Sequence, residues 1–320
     1  MSEHQVRRHE ETLTAYGARP VSVDLTRGSA LNELGDPAAP ESPAAIQPVR
    51  VSDRIARDRL PLKHWPRGHR VLVCSLAGGT GRTTLAAAMA ATLAELPYAH
   101  IWPPVLLVDG SSRRLDPAIT QLRPVPEQNE PVTDGNPPWP APLLWEADPG
   151  VRMLAARSWD ELAAAGLVEA ALTAHQDAYA PVIIDAASGL PSDLIWARTA
   201  PAGFSVVLIT RPDQYSLAEA AEALVWMHDR KLVSKHQITV VVNHGIGITS
   251  RRTRPAATAL ALRCHAVQQL TRDPGFGPGP SAPITRPVPK RQRGRLTQIC
   301  LSVWHTTQTA TPATVATPAA

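Results

Sequence analysis

Aromatic residues are few in this chain of 320 residues, with only two Phe and four Tyr beside eight Trp. Cysteine is rarer than Trp. Cys74, Cys264 and Cys300 stand far apart, without the paired spacing of a metal or redox motif. That argues against a disulfide framework and suits thiols used as small core residues in a reducing cytoplasm. No run of about 18 or more apolar residues occurs, so no membrane-spanning helix is expected. No basic stretch leads into an apolar one at the start, so no secretory leader is expected. The G-x-S-x-G elbow of serine hydrolases is absent. Two pairs, His4 with His9 and His64 with His69, have four residues between them but no C-x-x-C nearby, which speaks against a zinc site.

Acid is missing from the last third. From residue 241 onward ten Arg and Lys face a single acid, Asp273, so this part carries +9 and the first 240 residues carry −5 of the net +4. Such a third is either solvated surface or a face for nucleic acid, anionic lipid or an acidic partner. Proline is abundant at 32 residues, about twice its usual share. Residues 1–66, with Pro37-Ala-Ala-Pro-Glu-Ser-Pro, read as a disordered, proline-rich arm. Residues 124–142 are dense in Pro, Asn, Asp and Gly and read as a flexible insertion, and 309–320 read as a disordered tail. Residues 67–308 are left as one domain.

The most informative stretch is Val71-Leu-Val-Cys-Ser-Leu-Ala-Gly-Gly-Thr-Gly-Arg-Thr-Thr84, which runs into Leu85-Ala-Ala-Ala-Met-Ala. An apolar run, a turn of three glycines and an alanine-rich helix form the layout of a phosphate-binding loop. Gly78, Gly79 and Gly81 let the backbone curl so that successive N–H groups point at one anion. The helix start adds unpaired amides and the positive end of its dipole. A nucleotide triphosphate is the ligand this layout suits. The common pattern G-x-x-x-x-G-K-[ST] is met imperfectly, with Leu76 and Arg82 at its first Gly and its Lys.

Beyond the loop, Thr83 to Leu96 reads as a buried helix. Val105 to Asp109, Val151 to Ala156, Pro181 to Asp185, Ser205 to Thr210 and Ile238 to Asn243 read as strands, with helices at Trp159 to His175 and Ser216 to His228. Short, wholly apolar strands alternating with helices predict an α/β fold: a doubly wound, mostly parallel sheet with helices on both faces. Ligands on such sheets bind at the carboxyl ends of the strands. The loop, Asp109, Asp185 and Asn243 all fall there.

From residue 70 to about 305 the chain resembles the ParA/MinD-like ATPases, P-loop NTPases of the SIMIBI class. The resemblance rests on Ala77 to Thr84, Leu107-Val-Asp109, Val182-Ile-Ile-Asp185, Leu208-Ile-Thr-Arg-Pro-Asp213 with Ser216-Leu217, Val241-Val-Asn243 and Leu270-Thr-Arg-Asp273-Pro274. It implies that Gly78, Gly79, Thr80, Gly81, Arg82, Thr83 and Thr84 bind the phosphates of ATP, and that Thr83 and Asp185 hold Mg²⁺. It also implies that Asn243 reads adenine through its amide. Read without the resemblance, Asp109 and Asp185 are also compatible with caps of following elements, and Asn243 with a turn residue.

Three departures from the family pattern bear on turnover. Its signature lysine is Ala77, its phosphate-loop lysine is Arg82, and its Asp-x-Asp, whose second Asp helps activate water, is Asp109-Gly-Ser111. No catalytic residue is therefore assigned with assurance; Asp109 is the one candidate. The resemblance implies an ATP-binding switch that positions, partitions, conjugates or secretes a cargo, with weak or slow hydrolysis. The alternative is an inactive pseudo-ATPase scaffold. Implied partners are ATP, a second copy of the chain, a protein of a partition, conjugation or secretion system, and DNA or an anionic membrane through the basic third. Lys290-Arg-Gln-Arg-Gly-Arg295 precedes Leu296, Ile299, Cys300, Val303 and Trp304 on one helical face. That helix either touches a membrane or closes the domain against the sheet.

Overall fold

The structure is a computed structural model and describes residues 65–95, 104–110, 123–124, 144–147, 151–155, 172–173, 176–186, 194, 200, 202–245, 254–271, 288 and 290–309. All lie in a compact unit spanning Val51–Ala320. Runs of Val, Ile and Leu form the central strands because both sheet faces are covered, so no polar alternation is needed. In chain order these are β1 (Arg70–Cys74), β2 (Val105–Asp109), β3 (Arg123–Pro124), β4 (Leu144–Ala147), β5 (Val151–Leu154), β6 (Val182–Asp185), β7 (Phe204–Thr210), β8 (Ile238–Asn243) and β9 (Ala266–Leu270). Every residue of β1, β2, β6 and β8 is buried.

Among the described residues the nine strands make one sheet, ordered β3-β4-β5-β2-β6-β1-β7-β8-β9. From β5 to β9 all neighbours are parallel, while β3 and β4 add antiparallel pairings at one edge. The chain crosses β1 between β6 and β7, which makes the carboxyl end of β1 a switch point. The register sets Asp109 beside Asp185 there.

Four described α-helices cover the sheet: α1 (Arg82–Ala94), α2 (Gln214–Asp229), α3 (Arg254–Ala261) and α4 (Lys290–Thr309). Alternate strand residues serve alternate faces. Val71 and Val73 join α1 and α4 in one core, and Leu72 and Cys74 join α2 and α3 in the other. In α1 every residue from Leu85 to Leu93 is buried. Its alanines let it lie close between the sheet and α4. Leu296, Ile299, Cys300 and Val303 of α4 are buried in that core, with Trp304 packed against it. The apolar stripe thus closes the domain instead of facing a lipid surface. All three cysteines are reduced and buried.

The helices predicted from Thr83 and Ser216 and the predicted strands are present, with ends exact or shifted by one or two residues. Three strands were not among those expected, β3, β4 and β9. Pro124, taken as the start of the flexible insertion, lies in β3, an edge position where a missing N–H is tolerated. Trp65, assigned to the arm, is buried in the core. Residues 1–64, 125–142 and 310–320, Ser111, and most of the helix expected from Trp159 to His175 lie outside the described residues.

Candidate phosphate-binding site

Chain geometry dictates the loop. β1 ends at Cys74, and the backbone must reverse into α1 within a few residues. It does so with Gly79 at φ 68° and Gly81 at φ 86°, the left-handed region that side chains disfavour. Gly81 is also the N-cap of α1 and brings no capping side chain, and the first turn carries no acid. The opening amides of the helix therefore meet no side-chain acceptor of its own N-terminus. That arrangement accepts an anion. Ser75 Oγ bonds the Ala77 carbonyl at 3.1 Å within the turn.

Arg82 does not extend to solvent. Its side chain is 5% exposed, and Nε donates to Oδ1 of the fully buried Asp185 at 2.8 Å. Thr83 also hydrogen-bonds to Asp185. Burial pushes the Asp185 carboxyl up to about 6; the Arg82 charge and the Thr83 bond pull it down, and neighbouring Asp109 pushes it further up. Three buried polar atoms here have no partner: Arg82 Nη2, Asp185 Oδ2 and Thr80 Oγ1. Asp109, the candidate catalytic residue, is fully buried beside Asp185.

Two further side chains hold the loop from the next strands. Arg211, just past β7, donates from Nη2 to the Gly78 carbonyl at 2.8 Å. A Cβ at Gly79 would come within 3.3 Å of that nitrogen. Asn243, at the end of β8, donates from Nδ2 to the Thr80 carbonyl at 2.8 Å and accepts the Gly245 N–H at 2.9 Å. The second bond is the turn role, and the first tethers the loop. One N–H and one lone pair of this amide stay outside both bonds.

The sheet therefore brings Gly78, Gly79, Thr80, Gly81, Arg82, Thr83, Thr84, Asp109, Asp185 and Asn243 to one rim. Asp185 is not a helix or turn cap; its bonds go to Arg82 and Thr83. Sequence reasoning missed Arg211, although it lies in the Leu208 to Asp213 block. Its position just past a predicted strand, at the carboxyl-end rim, was the available signal. Within that block, Asp213 caps α2 by accepting from the Ser216 N–H and Oγ, each at 2.9 Å.

No protein-family model matches the chain, and no curated protein is significantly similar to it. Solved structures are. The chain is similar to the cell division ATPase MinD of Pyrococcus furiosus at 19% identity, with a TM-score of 0.53 over 74% of this chain and 98% of that one. It is also similar to a ParA family ATPase from Chlorobium tepidum TLS at 15% identity, with a TM-score of 0.50 over 73% and 97%. The fold is that of the MinD and ParA ATPases. In this MinD/ParA fold the glycine turn after β1 occupies the switch point of the sheet, as the strand order requires.

Proposed function

We propose that the chain binds ATP at the Gly78–Thr84 loop and acts as a ParA/MinD-like switch in positioning, partition, conjugation or secretion of a cargo, with slow hydrolysis. The observation carrying this reading is the left-handed glycine turn that feeds an uncapped helix start at the switch point. In this reading the amides from Gly78 to Thr84 hold the phosphates, and Asn243 offers its second N–H to the base. ATP binding to one conformation or to a dimer better than to the alternative would shift the population by that difference in affinity. Calorimetric titration with ATP, together with phosphate release, tests it. Saturable binding with slow release is expected, and no heat at millimolar ATP would end the reading.

Mg²⁺, expected at Thr83 and Asp185, does not fit the arrangement described. The carboxylate assigned to it already holds a buried guanidinium at 2.8 Å. A divalent cation on the same carboxylate would be repelled by that charge.

The scaffold reading is favoured by the same ion pair, together with Ala77 and Arg82 in place of lysines. Hydrolysis needs charge placed in the transition state, and losing such groups lowers rate while sparing ground-state binding. Binding without release, unchanged in Arg82→Ala, would select the scaffold. Lys290, Arg291 and Arg295 are exposed along the start of α4, which supports an electrostatic DNA partner for the basic third. Affinity for duplex DNA should then fall steeply with salt, and a flat response would remove this partner.

A further inference from the structure

We infer that this loop takes a nucleotide's phosphates without a divalent cation, the guanidinium of Arg82 standing on Asp185 in the ion's place. The inference rests on the reading that the loop binds nucleotide, and it specifies the ionic form of the ligand: the free polyphosphate anion, not its metal complex.

The shape of the Arg82 side chain carries the argument. Nε and Nη2 lie on one edge of the guanidinium plane, and Nε already donates to Asp185 Oδ1. Nη2 and Oδ2 are both buried, without a partner and not bonded to each other, so the second bond of a bidentate fork is available but unformed. Closing that fork consumes both oxygens of Asp185 and leaves none for a metal. A guanidinium has five N–H donors, so three remain for phosphate oxygens. One planar cation can thus link the carboxylate to the phosphates, which is the bridging role a divalent ion otherwise fills. An ammonium is a point charge without such a fork. Arg211 adds a second guanidinium on the Gly78 carbonyl. The Thr80 hydroxyl, 3% exposed and without a partner, is one more unused polar group of the loop.

The test is calorimetric titration of the intact chain with ATP in excess EDTA and again in excess Mg²⁺. The expected result is saturable binding in both, with dissociation constants agreeing within about threefold. Binding at least about tenfold tighter with Mg²⁺ overturns the inference while leaving the nucleotide reading intact. Absence of binding in both buffers overturns the two together. Arg82→Lys supplies a second arm. With the fork gone, Asp185 becomes available and Mg²⁺ should now tighten ATP binding by about tenfold or more. A folded Arg82→Lys chain as indifferent to Mg²⁺ as the parent would remove Arg82 as the ion's replacement.

Discussion

Two buried polar clusters sit at opposite ends of the same strands, and they are satisfied in different ways. At the amino end, His69 Nδ1 lies 3.2 Å from the Ala202 carbonyl and Nε2 lies 2.9 Å from Ser205 Oγ. Ser205 Oγ bonds Thr306 Oγ1 at 2.5 Å, and Thr306 donates to the Val303 carbonyl at 2.6 Å. Burial pushes His69 down to about 4, so every member is neutral near pH 7. At the carboxyl end, Arg82, Asp185 and Asp109 are buried with charges among them, and Arg82 Nη2, Asp185 Oδ2 and Thr80 Oγ1 are unpartnered. Trp65 Nε1 and Thr239 Oγ1, unpaired elsewhere in the core, carry no charge. The lesson is that the polar atoms of one cluster meet neutral partners within the chain, although three protons are shared among four contacts, whereas the other cluster is left with atoms that meet no partner. Buried polar groups left unpaired cost stability, and proteins retain such costs at functional sites.

The contrast can be broken most strongly at Arg82. Arg82→Ala leaves Asp185 buried without its guanidinium, and we expect a loss of about 3–5 kcal/mol in urea unfolding at pH 7. Adding Asp185→Asn should recover much of that loss, because no buried charge then remains at that position.

The next largest effect is a pH dependence, and the two clusters carry opposite signs. Between pH 6.5 and about 4 the unfolded chain binds the proton that folded His69 refuses, so stability falls on acidification, by at most about 3 kcal/mol. Asp185 does the reverse. Between about 6 and its ordinary 3.8 its folded carboxyl holds a proton that the unfolded chain has released, so its contribution rises as pH falls. Unfolding midpoints across pH 4 to 7 should therefore show a flatter acid arm in His69→Gln and a steeper one in Asp185→Asn.

Gly81→Ala imposes a side chain at φ 86° and should cost about 1–2 kcal/mol. Calorimetry should also show weaker ATP binding. Asp213→Ala sharpens the comparison from the other side. It lies near the same rim, but its carboxylate is fully used in capping α2. The expected cost is about 1 kcal/mol, with ATP affinity unchanged. An affinity change there as large as in Gly81→Ala would mean that the loop is not a distinct site.

Much of the fold was legible because fully buried parallel strands announce themselves as short apolar runs. Val105–Asp109 and Ile238–Asn243 were delimited to the residue. The edge strands β3 and β4 were not, since Arg123–Pro124 and Leu144–Ala147 are too short to show a period. In the site, the glycines and the strand-end carboxylates were readable from local pattern. Their pairing was not. The bonds from Arg82 to Asp185 and from Asn243 to the Thr80 carbonyl join residues that no local pattern relates.

The sequence by itself determined the kind of sheet, the place of the loop and the end of the sheet where polar groups gather, because these follow from hydrophobic period and from the backbone freedom of glycine. Tertiary structure alone decided which charges meet. Arg82 and Asp185 lie 103 residues apart, Arg211 and Gly78 133, and Asn243 and Thr80 163. Strand order, not local composition, closes those distances, and with them it decides whether a carboxylate faces an ion or a guanidinium.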